Sequence, residues 1–121
     1  MKLVLSIAFS LILTSSLYAQ CNIDNVKKES AELFVVDSRG HTLNRLYYYG
    51  DDYLAYDFSS CWVAVAKWGS GRTTIDLFDS TSNVSKKTIS MSSYRAKSIK
   101  IIGDKIRVVY ENGSEETKDI N

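Results

Sequence analysis

The sequence predicts an all-β protein: a small antiparallel meander, closed into a barrel or folded into a sandwich, with a short N-terminal helix or extended segment and one disulfide. Three observations predict it. After Glu32 the chain is a series of short runs rich in Val, Ile, Thr, Tyr and Trp, the residues that fit a pleated, half-buried surface. Turn-forming clusters (DSRG, GDD, GSG, DSTSN, GD, ENG) separate these runs at short, even intervals. No long amphipathic helical period and no helix–strand alternation interrupts them, which argues against an α/β fold. The sequence contains no proline, so exposed strand edges must be protected by charge, bulges or pairing.

The first nineteen residues read as a secretory signal. Lys2 supplies the basic end, residues 3–13 (LVLSIAFSLIL) an apolar stretch too short to span a bilayer, and small Ala19 the expected cleavage point. The expectation is a single all-β domain over residues 20–121, periplasmic or secreted, with no stable membrane insertion after cleavage. A lipoprotein anchored through Cys21 is disfavoured, because lipidation needs a small residue before the cysteine and Gln20 is not small. Net charge is +1 and falls to about neutral once Lys2 is removed, so no global field draws nucleic acid or an anionic membrane. Cys21 and Cys61 are the only cysteines. In an oxidising compartment they are expected to pair with each other.

Residues 22–31 (NIDNVKKESA) suit a short helix capped by Asn22 or Asp24, with Ile23 and Val26 facing inward, or an extended segment. The strand runs that follow are ELFVV, TLNRLYYY, YLAYDF, CWVAVAKW, TTIDLF, VSKKTISM, AKSIKII, KIRVVY and ETKDI.

Two stretches echo each other. YYYGDDYLAYDF (47–58) and KIIGDKIRVVYE (100–111) both read as strand, Gly-Asp, strand, and Gly at the first central position suits a two-residue type II′ hairpin. In the second stretch this register sets Ile101 opposite Ile106 and Ile99 opposite Val108, on one face with Tyr110. Ile102, Lys105, Lys100 and Arg107 fall on the other face. In the first stretch it sets Tyr47 opposite Leu54, Arg45 opposite Tyr56 and Leu43 opposite Phe58. The other face then holds Tyr48 opposite Tyr53, Leu46 opposite Ala55 and Asn44 opposite Asp57. This sorting is less clean, and a three-residue loop would instead set Arg45 against Asp57.

Residues 62–89 (WVAVAKWGSGRTTIDLFDSTSNVSKKTI) resemble one blade of a WD-repeat-type β-propeller. They run alternating strand, Gly-rich turn, TIDLFD, polar turn, closing strand. A closed propeller needs at least about four blades of about 40 residues. Room for about two and a half blades limits the resemblance to local strand order.

Chemistry-bearing residues are sparse. His41 is the only histidine and lies in a turn, so neither a metal pair nor a histidine-based nucleophile system has enough partners. Asp51 and Asp52 suit turn propensity, Asp57 a structural pairing with Asn44 or Arg45, and Asp76 and Asp79 stand further on. Arg95, Lys97, Lys100, Lys105 and Arg107 form a basic run. Glu111, Glu115, Glu116 and Asp119 follow it and would neutralise the hairpin. The acceptor sequons Asn83-Val84-Ser85 and Asn112-Gly113-Ser114 both lie in turns. No catalytic residue, cofactor or metal is expected, and the protein is not expected to be an enzyme.

The aromatic residues are the remaining signal. The echo hairpin uses Ile and Val where 47–58 uses Tyr, so a hairpin does not itself demand tyrosine there. Either these tyrosines are a half-buried structural ladder or they form a binding surface, centred on Tyr48 and Tyr53 beside Asp52. Alanine at Tyr48 and Tyr53 is then expected to weaken binding and spare the fold. The functional expectation is an exported small binding protein, a protein–protein inhibitor or immunity-type module whose partner is another envelope or secreted protein. The alternatives are a carbohydrate- or small-ligand-binding module and a structural envelope component.

Overall fold

The computed structural model describes residues 21–48 and 52–121. These form three antiparallel sheets in strict sequence order. The first holds β1 (Asn25–Glu29), β2 (Glu32–Val36) and β3 (Thr42–Tyr47). The middle sheet holds β4 (Tyr53–Phe58), β5 (Val63–Gly69), β6 (Arg72–Phe78) and β7 (Lys87–Ser90). The third holds β8 (Ala96–Ile102), β9 (Lys105–Tyr110) and β10 (Glu115–Asp119). The predicted all-β meander is what forms, as a layered sandwich. The signal-sequence expectation and the Gly50-Asp51 turn lie outside the described residues. Among the described residues no helix is long and apolar enough to cross a membrane.

The middle sheet is covered on both faces, and its sequence shows why. In β5, Val63, Ala64, Val65 and Ala66 are all buried, the continuous apolar run of a strand with two covered faces. Val63 and Val65 join Ile23, Val26, Leu33, Val35 and Leu46 of the first sheet and its lead-in. Ala64 and Ala66, with Ile75 and Leu77 of β6, meet Ile99, Ile106, Val108 and Tyr110 of the third sheet. Each fully buried Val, Leu or Ile contributes roughly 1.5–3 kcal/mol relative to exposure. The blade-like stretch 62–89 supplies β5, β6 and β7, and β4 completes a four-stranded sheet in sequential order.

The third sheet matches its predicted register: Ile101 faces Ile106, Ile99 faces Val108 and Lys100 faces Arg107. Gly103 has φ 63° while Asp104 is not in the left-handed region, the pattern of a type II′ turn. Three members of the basic run meet acidic partners as expected: Lys105 pairs with Asp119, Arg107 with Glu115 and Arg95 with Glu111.

Of the two conformations expected for the N-terminal segment, the extended one forms: residues 25–29 are a strand. A short isolated helix is marginal in water, and pairing with β2 supplies backbone partners while still burying Val26. One expectation is corrected: the hairpin of 47–58 does not form. β3 pairs with β2, and β4 pairs with β5. The β2–β3 pairing sorts residues better. Leu33 and Leu46 oppose each other inside, while Glu32, Phe34, Arg45 and Tyr47 share the outer face. The two-residue hairpin would have put Arg45 and Tyr47 on one face with Leu43, Leu54 and Phe58.

Without proline, strand amides are closed by side chains. The Val26 amide donates to Asn25 Oδ1 and the Arg45 amide to Asn44 Oδ1, both at 2.9 Å on the border strands of the first sheet. The Ile101 amide of β8 donates to Asp57 Oδ2 of β4 at 2.7 Å, which joins the middle and third sheets. The Cys21–Cys61 disulfide ties the lead-in of β1 to the loop before β5. It is compatible with an oxidising extracellular compartment.

Candidate functional site

Tyr48 follows β3 with the same inward parity as Leu46, and it is buried. Its hydroxyl donates to the Ser30 carbonyl at 2.7 Å and its amide to the Ala31 carbonyl at 3.1 Å, so it clamps the β1–β2 turn. Its ring stacks on Tyr53 of β4, centroids 4.4 Å apart and planes 28° from parallel. Lys28 Nζ lies 4.7 Å from the Tyr53 centroid, close enough for a cation–π contact. Tyr56 donates to the Val26 carbonyl at 3.4 Å. Burial first, then the neighbouring Tyr48 and Tyr56 phenols, push the Tyr53 hydroxyl up to about 12. Tyr48 and Tyr53 thus join the first sheet to the middle sheet.

Asp52 is exposed and belongs to another place. Its carbonyl accepts the Trp68 amide at 2.7 Å. The residue borders a groove of about 180 Å³ with Lys67, Trp68, Gly69 and Thr74, which neither Tyr48 nor Tyr53 lines. The structure therefore brings the two tyrosines together and sets Asp52 apart from them.

Among the described tyrosines of the 47–58 stretch, the exposed one is Tyr47, at 63%. It shares the outer face of the first sheet with Arg45 and Phe34. Arg45 is fixed from two directions. Its Nε and Nη2 donate to the two Glu32 carboxylate oxygens at 2.8 and 2.9 Å, and its guanidinium stacks 5.1 Å from the Phe34 centroid. The bond to Glu32 raises the Arg45 guanidinium further above its usual range. An open groove of about 390 Å³ runs beside it, lined by Thr42, Leu43, Asn44, Arg45, Tyr47 and Asn83. Asn44 holds the far bank by donating to the Ser82 carbonyl at 2.6 Å. The sequence carried a signal for this surface. If Leu46 and Tyr48 point inward, strand alternation sends Arg45 and Tyr47 outward; pairing with 32–36 was the missing step.

The other polar residues are tied into the fold. The His41 and Arg39 amides both donate to Asp37 Oδ1. The His41 amide leads the causes that hold the Asp37 carboxyl below its usual range, against partial desolvation. Asp76 pairs with Lys67 at 2.5 Å and accepts from Thr88, while Asp79 accepts from Thr81 and pairs with Lys86. Among the described residues no three His, Cys, Asp or Glu side chains converge to hold a metal. Asn83 and Asn112 are both exposed.

No protein-family model matches the chain, and no curated protein matches it in sequence.

Proposed function

We propose that this chain is an exported small binding protein, an inhibitor or immunity-type module that acts by covering a surface of another envelope or secreted protein. The contact face is Phe34, Arg45 and Tyr47 with the adjoining groove. Tyr48 and Tyr53 serve behind it as the support that holds the first sheet in place.

One observation carries this reading: an exposed Tyr47 beside an Arg45 already locked by Glu32 and Phe34. Tyr and Arg are the residue types over-represented among binding hot spots. A guanidinium fixed before the partner arrives loses less rotamer freedom on binding. Export is supported by the leader-like first nineteen residues and by the disulfide. A Cys21 sulfur joined to Cys61 cannot also carry a lipid. Closure of the Val26 and Arg45 amides by asparagine side chains weighs against assembly through these strand edges.

The test is retention of a partner. Mature protein, immobilised and exposed to envelope and secreted fractions, is expected to hold one stoichiometric protein partner. Tyr47→Ala and Arg45→Ala are expected to lose it, and Tyr47→Phe to keep it. Undiminished retention by both alanine variants would remove this face from consideration.

A further inference from the structure

We propose that the groove beside Tyr47 takes a short, uncharged, extended segment of the partner protein, and that Asn83 reads the backbone of that segment. The proposal rests on the contact face described above and adds to it a residue from the middle sheet. The groove is lined by Thr42, Leu43, Asn44, Arg45 and Tyr47 of β3 and by Asn83 of the turn between β6 and β7. Residues of both strand parities line it, so it runs along the free edge of β3 rather than across one face. Thr42 to Tyr47 spans about 17 Å at roughly 3.4 Å per residue, room for an extended segment of about the same length. The groove's volume of about 390 Å³ falls in the range of roughly 300–1,000 Å³ that suits a short segment rather than a folded element.

Charge selects the segment. Arg45 is the only charged residue in the lining, and it donates to both Glu32 carboxylate oxygens. A charged side chain entering the groove would lose its water and meet no unpaired counter-ion. Regular strand pairing along β3 is blocked, because Asn44 Oδ1 already accepts the Arg45 amide at 2.9 Å. Side chains must therefore hold the segment.

Asn83 is placed to do so. Its turn is ordered from several sides: Asn44 donates to the Ser82 carbonyl at 2.6 Å, the Val84 amide donates to Ser82 Oγ at 3.1 Å, and the Thr81 amide and hydroxyl both donate to Asp79 Oδ1. A turn set before the partner arrives loses less freedom on binding. Asn83 is exposed, and among the described residues nothing bonds its side-chain amide. That amide carries an acceptor oxygen and N–H donors. In an extended segment the N–H and C=O of one residue point to the same side, so a single asparagine can satisfy both.

The experiment pans a phage-displayed library of random heptapeptides on immobilised mature protein whose mass shows Asn83 unmodified. Enriched sequences are synthesised and titrated into the protein by amide NMR. They are expected to share a run of uncharged residues and to give saturable shifts at residues 42–47 and at Asn83. Asn83→Ala is expected to weaken peptide binding about tenfold, the effect of losing roughly 1.4 kcal/mol. Asn83→Asp keeps the acceptor and loses the N–H donors, and is expected to weaken it as well. The position is exposed, so both variants should unfold at the wild-type midpoint. No enriched peptide, a consensus dominated by acidic residues, or full peptide binding by Asn83→Ala would each overturn the proposal. If Asn83→Ala binds peptide in full while Tyr47→Ala and Arg45→Ala lose the protein partner, the groove reading falls and the contact face stands. If both of those alanine variants keep the partner, the face falls and this proposal with it.

Discussion

The rings of Tyr48 and Tyr53 stack 4.4 Å apart although β3, which Tyr48 follows, and β4 belong to different sheets. The pair is a bond between layers. Tyr48→Phe, which loses the hydroxyl bond to Ser30, is expected to cost about 1 kcal/mol. Tyr48→Ala is expected to cost roughly 3–5 kcal/mol, as large-to-small changes at buried aromatics do. A double-mutant cycle with Tyr53→Ala should give a coupling of roughly 0.5–1.5 kcal/mol. Urea unfolding of wild type and these variants measures all three; near-zero coupling would mean that the rings only touch. This replaces the sequence-based expectation that alanine at both positions spares the fold.

Alkaline pH should loosen the same seam. The Tyr53 phenol is pushed up to about 12 from an ordinary 10, by burial first. Between those values the unfolded chain gives up its proton while the folded chain keeps it. The contribution is therefore complete below about pH 10 and lost as pH rises toward 12. Tyr53→Phe should flatten part of this slope in denaturation midpoints measured across the alkaline range. Tyr110, raised by its own burial and then by Glu116, accounts for another part.

Acid acts at the opposite side of the middle sheet. Glu116 is held below its usual range, chiefly by the Tyr110 hydroxyl, with Ser92 adding a further bond. Its contribution is present above the ordinary carboxylate range and is lost as pH falls through the depressed folded value. Glu116→Gln is expected to be less stable than wild type at neutral pH and to converge with it in acid. Parallel stability curves would show that the Tyr110–Glu116 bond contributes nothing measurable.

Thr73 is fully buried and joins two backbone segments. Its hydroxyl donates to the Tyr94 carbonyl at 2.7 Å and accepts the Ala96 amide at 3.0 Å. Thr73→Val keeps the shape and leaves both groups unsatisfied, at roughly 1–3 kcal/mol each. Thr73→Ser should recover most of that loss in the same unfolding assay.

The disulfide joins residues 40 apart in the chain. On the chain-entropy account it contributes about 3–4 kcal/mol. Cys21→Ser with Cys61→Ser, or wild type under reductant, should lose that much and agree with each other in urea titrations. A loss in the double variant but not in reduced wild type would point to misfolding of the variant instead.

Much of this was legible in the chain. Strand alternation and turn residues marked nearly every strand, and at residues 100–111 they marked the register too, because a two-residue turn leaves one pairing open. Cys21 and Cys61 had only each other. The order of layers was not legible. At residues 47–58 the same Gly-Asp signal suggested a hairpin, but the poorer sorting of Arg45, Leu43 and Tyr56 already counted against it.

After Glu32, sequence alone determined which segments extend and which side chains along a strand share a face, since both follow from local sterics and a period of two. Tertiary structure decided partners. β3 could pair with β2 or with β4, and only β2 offers Leu33 to Leu46 inside and Glu32 to Arg45 outside. That choice sent Tyr48 inward onto Tyr53 and left Tyr47 in solvent, a difference that depends on burial against a second sheet far along the chain.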